Sequence, residues 1–462
     1  MVRATRRLRS GDTPTDPVRP ARSLPVRLLP RSRPAARRSW SRRDLAALAA
    51  WTALVAVAAA WGAWLLAHGA RMRMWALPLA GNFRPRLGPR ALPALAFAAL
   101  TVVWATEVAR RIRWRSLLVA SFGAAAAWAV LLAVADGPHG LIRSVLAPAD
   151  VSNDLASVHS ATGFLSTFVG RIGDFAVHTR AHPPGLLLVL WWLSRHGIRG
   201  PGWQASLEIA GGAAAVPAVL VAVANVSGRE AARAAAPFVA LAPAAVFVAT
   251  SADALFAGVA AWSVALLVCA TGRGLGGAAP ALAGGVLLAA GLFLSYGVVL
   301  VLAIPVAIGM ARRDPIPLAL AALPVLGIAL AFGAAGFWWW SGLEATRHQY
   351  MLSVAARRPG SYFLLANLAA FAIAFGPAVA VGLARLRDRG VWLLVAGALV
   401  AVAVADLSGL SKGEVERIWL PFAPWVLAAC CSLGAVERDG RRWIALQVAS
   451  AIALQVAVRS PW

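Results

Sequence analysis

The feature that most constrains this chain is a recurring apolar run. Between Leu45 and Val458, stretches of about 18 or more residues repeatedly pass with few charges. Inside hydrocarbon every backbone N–H and C=O must be satisfied internally, which leaves helices or closed barrels. A barrel needs alternating strands of about ten residues, and the sequence has no such pattern. The expected fold is therefore all-α, a polytopic transmembrane helical bundle. Composition agrees: 60% of residues are hydrophobic and 14% charged, against about 45–50% and about a quarter in soluble domains.

Thirteen spans are expected, over 45–67, 90–109, 116–135, 204–226, 234–250, 252–270, 277–294, 297–311, 315–336, 361–384, 391–408, 417–435 and 442–459. Ser295, Tyr296 and Gly297 mark a turn in a run too long for one crossing. Cys269, Cys430 and Cys431 all fall in apolar spans and read as packing residues, with no disulfide framework or zinc ribbon.

The net charge of +25 is uneven. Residues 1–43, rich in Arg, Pro and Ser, cannot bury a core and read as a disordered basic cytoplasmic tail, while 44–462 form the transmembrane domain. Nucleic-acid binding is not expected, because no aromatic-interleaved or folded nucleic-acid module accompanies the tail. "SRRDLAALAAW" (Ser41–Trp51) resembles a twin-arginine export signal, but the many later spans make Arg42 and Arg43 positive-inside flanks. Arginine placement sets the orientation. With the N-terminus cytoplasmic, the loops at Arg110–Arg115, Ser227–Arg233, Thr271–Gly274, Ala311–Asp314, Ala384–Gly390 and Glu437–Arg442 are inside, and all are basic. The segment Arg71–Arg90 falls outside and is also basic, the one conflict.

Three polar segments are left on the outer face: Asp136–Trp203, about Trp338–Gly360, and Asp406–Trp419. The first, over 136–203, is a large loop with juxtamembrane helices. Phe164, Leu165, Phe168, Val169, Ile172 and Phe175 repeat at helical spacing, an amphipathic helix on the membrane surface. A second interfacial helix is expected over Gly185–Gly197, anchored by Trp191 and Trp192. Five of the seven histidines lie between His139 and His196. That density of titratable groups beside a bilayer points to a site, the alternative being a solvated loop.

Within this loop, "HTRAHPPG" puts His178 and His182 at i, i+4, a spacing that binds metal on one helix. His182 precedes Pro183, however, and that disfavours helical geometry. "HPPG" reads better as a rigid turn that opens a helix, with Arg180 and free N–H groups favouring an anion such as phosphate.

The pattern resembles integral-membrane glycosyltransferases of the GT-C type. The likeness rests on "HPPG" (His182–Gly185), on "TSADALFA" (Thr250–Ala257), and on "GEVERIWLPFAPW" (Gly413–Trp425), similar to a late motif in an actinobacterial branch of membrane proteins. It covers most of Asp136–Trp462. It implies transfer of a sugar from a polyprenyl-phosphate donor to a cell-envelope glycan or glycolipid on the outer face of the cell membrane. Asp154 is the favoured catalytic carboxylate, with Asp136 and Asp174 as the others. His178, Arg180, His182, Asp253, Glu414, Glu416 and Arg417 are the substrate-binding candidates. Plainer roles remain open: Asp136 as the end of a span, Asp174 paired with Arg171 or Arg180, Asp253 as a helix N-cap, and Glu416 with Arg417 as an interfacial ion pair. No metal ligands are assigned, and a divalent cation is left open as cofactor. Partners are the lipid-linked donor, the acceptor and membrane lipids. The alternative is a transporter or flippase of an envelope lipid or lipid-linked sugar, for which repeats and charged broken helices are the signature.

Deleting residues 1–38 is expected to leave membrane insertion intact, because that composition cannot contribute to a core. Fractionation followed by alkaline extraction checks it; loss of the inserted protein refutes it.

Overall fold

The structure is a computed structural model that describes residues 40–434 and 437–460. The basic tail expected over 1–43 lies outside the described residues except for its last four. Helices α1 (Arg42–Ala67), α2 (Leu92–Arg111) and α3 (Trp114–Ala135) come first. The polar stretch after α3 folds into short helices α4 (Ala161–Phe168), α5 (Val177–Arg180) and α6 (Gly185–Arg195). Next come α7 (Pro201–Ala240), broken at Gly228 where φ is 87°, α8 (Asp253–Ala270), α9 (Ala278–Leu294), α10 (Ala303–Arg312) and α11 (Ile316–Ala334). After α12 (Trp339–Leu352), α13 (Gly360–Phe375) and α14 (Pro377–Arg385) meet at 91°. The remainder is α15 (Arg389–Leu407), α16 (Val415–Ile418), α17 (Ala423–Leu427) and α18 (Glu437–Ala457). Among the described residues the two strands, β1 (Asn82–Phe83) and β2 (Val458–Arg459), pair antiparallel.

Eight helices among the described residues are long and apolar enough to cross a bilayer: α1, α2, α3, α7, α8, α9 with the turn before it, α11 and α15. The bent α13–α14 pair makes nine. Four other expected spans are not among these: the 442–459 stretch falls in α18, and three take irregular forms. The 234–250 span is the end of α7 plus a 3-10 stretch, Pro243–Thr250. The 297–311 span is a 3-10 stretch, Tyr296–Leu302, plus α10. The 417–435 span contains α17 and a 3-10 turn, Ala428–Ser432. Prolines at 243, 305, 421 and 424 contribute, since each removes an N–H from the ladder.

The outermost helices keep apolar side chains on their free faces. Leu323, Leu326 and Leu330 on α11, and Val57 and Trp64 on α1, are exposed. Such continuous apolar surface suits lipid rather than water. The amphipathic stretch from Phe164 is helical only to Phe168, yet Phe164, Leu165, Phe168, Ile172 and Phe175 are buried as its pattern required. Phe168 stacks on Phe175, Phe164 packs tilted against Phe175, and Phe168 meets Phe337 edge-on. The three cysteines are free thiols, with Cys430 and Cys431 buried.

Hydrogen bonds sew the polar segments together at two opposite ends. At one end Arg233 Nη1 donates to the carbonyls of Ala109 (2.6 Å) and Ile112 (2.9 Å), Arg312 Nη1 to Thr271 O (3.0 Å), and Gly272 N to Asp314 Oδ2 (2.7 Å). Ser227 there bonds Asp388, and Arg385 pairs with Asp44 at 2.7 Å. At the other end Arg86 pairs with Asp136 at 2.9 Å, Ala80 N donates to Glu416 Oε1 (2.8 Å), Arg358 Nε to Met72 O (2.9 Å), and Thr346 Oγ1 to Arg180 O (3.0 Å). Segment 71–90 is thus fastened to the same end as the long polar loop.

Helices α7 and α8 form the most extensive helix pair in the bundle. Small residues permit this. A β-carbon on Gly258 would collide with the carbonyl of Gly211, and one on Gly211 would stand 2.5 Å from Leu255 Cα. Gly258→Leu is therefore expected to lower stability by about 1–3 kcal/mol through overpacking. Thermal unfolding in detergent measures this, and an unchanged midpoint would refute the packing account.

Candidate functional site

At the end that carries segment 71–90, five separate stretches close around one cleft. Its lining includes Asp150, His178, His182, Glu208, Asp253 and Arg417. The "HPPG" turn sets the two histidines. Helix α5 ends after Arg180, Pro183 and Pro184 turn the chain, and α6 starts at Gly185. That glycine is required, since a β-carbon would strike the carbonyl of Phe293 on α9. His178 N donates to Ala149 O (2.9 Å), and Ala176 N to Asp154 Oδ2 (2.9 Å). The stretch before α5 is thereby stitched to residues 149–154, and both imidazoles line the cleft. The His182 ring meets Phe256 edge-on at 5.2 Å.

Asp253 opens α8. Its Oδ2 accepts from Ser251 Oγ (2.6 Å) and from Arg417 Nη1 (2.7 Å), and its N–H donates to Ser251 Oγ (3.0 Å). Arg417 also donates through Nη2 to Glu414 Oε2 (2.9 Å). The side chains of Arg417 and Asp253 are only 9% and 4% exposed, so this ion pair is buried rather than interfacial. Glu414 takes a left-handed φ of 66° just before α16, and Gly413 N bonds Asn367 Oδ1 (3.0 Å). Two carboxylates thus compensate the single Arg417 charge.

On the opposite wall, Gln204 and Glu208 sit one turn apart at the start of α7. Gln204 Nε2 donates to Asp150 Oδ1 (3.1 Å) and to Glu208 Oε1 (3.0 Å). One amide therefore links two buried carboxylates. Asp150 also accepts from Ser152 N (2.9 Å). Burial raises the Asp150 carboxyl above its usual range, even against the hydrogen bonds from Ser152 and Gln204. Burial, then the nearby Arg417 charge, holds His178 down to about 3; burial likewise lowers His182, against the pull of Asp253. Both imidazoles are neutral near pH 7, each with one N–H to donate and one nitrogen to accept. Four buried polar atoms of the lining have no hydrogen-bond partner among the described residues: Ser144 Oγ, Thr179 Oγ1, His182 Nδ1 and Glu208 Oε2. Buried polar groups are seldom left so, and together they suit a ligand rich in hydroxyls.

Of the residues singled out in the sequence, His178, His182, Asp253 and Arg417 line the cleft, and Glu414 contacts Arg417. Glu416 is fully buried next to them, holding Ala80 N–H, and burial pushes its carboxyl up to about 7. Arg180 contributes its carbonyl to Thr346 and is not in the lining. Asp154 braces the turn before His178. Asp136, the residue after α3, is clamped by Arg86 and Arg143. Asp174 is exposed and pairs with Arg171 at 3.4 Å. Asp150, Glu208 and Ser251 complete the lining, and Gln204 bonds two of them from behind, without having been singled out. A signal for two of them was present, since Gln204 and Glu208 are polar residues at i, i+4 where an apolar run begins. Among the described residues no three His, Cys, Asp or Glu side chains group closely enough to hold a metal.

Removing Arg417 leaves the buried Asp253 carboxylate without its cation, whereas removing Asp253 leaves Arg417 paired with Glu414. Arg417→Ala is expected to cost about 3–5 kcal/mol, Asp253→Ala less, and the double variant less than their sum. Unfolding of the three variants in detergent provides the cycle, and simple additivity would refute the coupling. Compared with known proteins, the chain matches no protein-family model and no curated sequence.

Proposed function

We propose that the chain is a multi-pass membrane glycosyltransferase that moves a sugar from a polyprenyl-phosphate donor to an envelope glycan or glycolipid. The observation that carries this reading is the buried cleft at one end of an apolar bundle, where three carboxylates, two neutral imidazoles and an arginine converge with unsatisfied hydroxyls. A lipid-linked donor keeps its chain in hydrocarbon and brings its phosphate to that depth. In the proposed step Asp150 takes the proton of the acceptor hydroxyl. The hydroxyl oxygen bonds the anomeric carbon as the bond from that carbon to the phosphate oxygen breaks, and the phosphate leaves with the electron pair. Neutral His178 and His182 donate to the departing phosphate. Arg417, already shared by Asp253 and Glu414, orients these groups rather than presenting free charge.

The same reading takes thirteen crossings, with the cleft on the side away from the cytoplasm. Support comes from the bonds at the two ends: segments expected inside bond one another, and segments expected outside do likewise. Counting α18 and the irregular stretches 229–250, Tyr296–Arg312 and Ala423–Ser432 as crossings beside those nine makes thirteen, and the ends then alternate along the chain. One observation favours the transport reading, the 91° break between α13 and α14. No charge sits at that break, however, and Gln447 Nε2 satisfies the carbonyl of Phe375 there.

Membranes holding the protein, supplied with labelled polyprenyl-phosphate sugars, should transfer label to an endogenous acceptor. Asp150→Asn should lower transfer by about 10²–10⁴-fold while the protein still accumulates. The acid limb of the pH profile should lie above the ordinary Asp range, because Asp150 must be ionised to act and its carboxyl is raised. If Asp154→Asn abolishes transfer and Asp150→Asn does not, the base is misassigned. Absence of transfer together with movement of labelled lipid across vesicles would favour the transporter.

A further inference from the structure

A second cavity lies outside the cleft and shares no lining residue with it. One face of α1, Trp51, Val55, Ala59, Ala63 and Leu66, forms one wall. Ser450, Ala453, Leu454 and Ala457 of α18 form the other, and the segment from Trp75 to Leu79 with Phe83 and Val458 forms the roof. The groove exists because α1 packs on α13 and α14 while α18 packs on α2 and α14. Trp51 Nε1 fixes α1 to the carbonyl of Ala372 at 3.0 Å. Alanines in both walls leave about 1150 Å³ of free space, part of it open to the surroundings. From Trp51 to Leu66 the groove runs about 22 Å along the helix, at 1.5 Å per residue. That is most of the thickness of a hydrocarbon core.

The roof is amphipathic. In the paired strands Phe83 and Val458 face each other and line the groove. Successive residues on a strand point to opposite sides, so Arg84 and Arg459 lie on the other face. The chain before it alternates too: Arg71, Arg73 and Trp75 are exposed while Met72 and Met74 are buried. Among the described residues Arg71, Arg73, Arg84 and Arg459 enter no ion pair, unlike Arg86, which is held by Asp136. An apolar groove of membrane depth thus lies under a roof that carries four uncompensated cations outside its lining, three of them in the one segment whose charge breaks the inside bias of arginine and the fourth, Arg459, on the strand paired with it.

We infer that this groove binds an anionic glycerophospholipid, its acyl chain between α1 and α18 and its phosphate at the arginines of the roof. The charge of segment 71–90 then serves lipid recognition rather than orientation. The site is independent of glycosyl transfer and would stand if that reading failed.

Native mass spectrometry of the full chain in mild detergent tests it, with phosphatidylglycerol and phosphatidylcholine as probes. Phosphatidylglycerol should be retained and phosphatidylcholine should not. Each arginine near an anionic group is worth roughly fivefold in binding, so replacing both Arg84 and Arg459 by Ala should weaken retention about 25-fold. Ala63→Trp, which fills the groove, should remove retention, whereas Arg229→Ala at the opposite end should leave it unchanged. Thermal unfolding verifies that each variant is folded, and Arg84→Ala alone, at an exposed position, gives a test that does not disturb packing and should weaken retention about fivefold. Equal retention of both lipids, retention insensitive to the arginine pair, or displacement of phosphatidylglycerol by polyprenyl phosphate would overturn the inference.

Discussion

The buried pair of Arg417 and Asp253 is the interaction on which the cleft depends. Neither group can be withdrawn from water without a partner, since a lone buried charge costs several kcal/mol. Satisfying both brings the start of α8 against α16, with the two residues 164 positions apart. Glu414 joins them through a left-handed backbone that few non-glycine residues adopt. Arg358 supports the same loop from outside, bonding Lys412 O at 2.5 Å and Met72 O at 2.9 Å. The electrostatic demand of one guanidinium therefore organises three separate polar segments.

The opposite wall works by hydrogen bonding rather than charge pairing. Gln204 has one amide nitrogen to offer, and Asp150 and Glu208 both use it. Burial raises the cost of ionising Asp150, and a neutral donor relieves that only partly. One wall consequently carries a compensated charge and the other holds Asp150, whose carboxyl burial raises. Between them stand imidazoles that burial keeps neutral. Such an arrangement can receive a proton on one side and donate hydrogen bonds on the other.

The bundle around this site is built to be asymmetric. Small residues at Gly211 and Gly258 let α7 and α8 close tightly beneath the cleft, whereas α1 and α18 stay apart around an apolar groove. Tight contact holds the polar side chains of the cleft in fixed geometry, while α1 and α18 leave open space between them. The roof segment joins the two regions, because Leu79 lines the groove and the next residue, Ala80, bonds Glu416 beside Arg417.

Much of this was legible in the residues alone. Runs of apolar residues demand internally bonded helices wherever they lie, so the all-helical class follows from local composition. The polar turn at His178–Gly185 and the motifs around Asp253 and Arg417 were visible because charge is rare in such a chain. Which carboxylate enters the cleft was not visible. Asp136, Asp150, Asp154 and Asp174 look alike in sequence, and only tertiary contacts separate them: Asp136 meets two arginines, Asp154 a backbone N–H, Asp174 solvent, and Asp150 an amide inside the cleft. The irregular form of three expected spans was equally hidden, since hydropathy sums over residues and ignores whether prolines interrupt the ladder. Composition and spacing act locally and determined the helices and their apolar faces. Which distant polar groups meet depends on long-range packing, and the tertiary structure alone decided it.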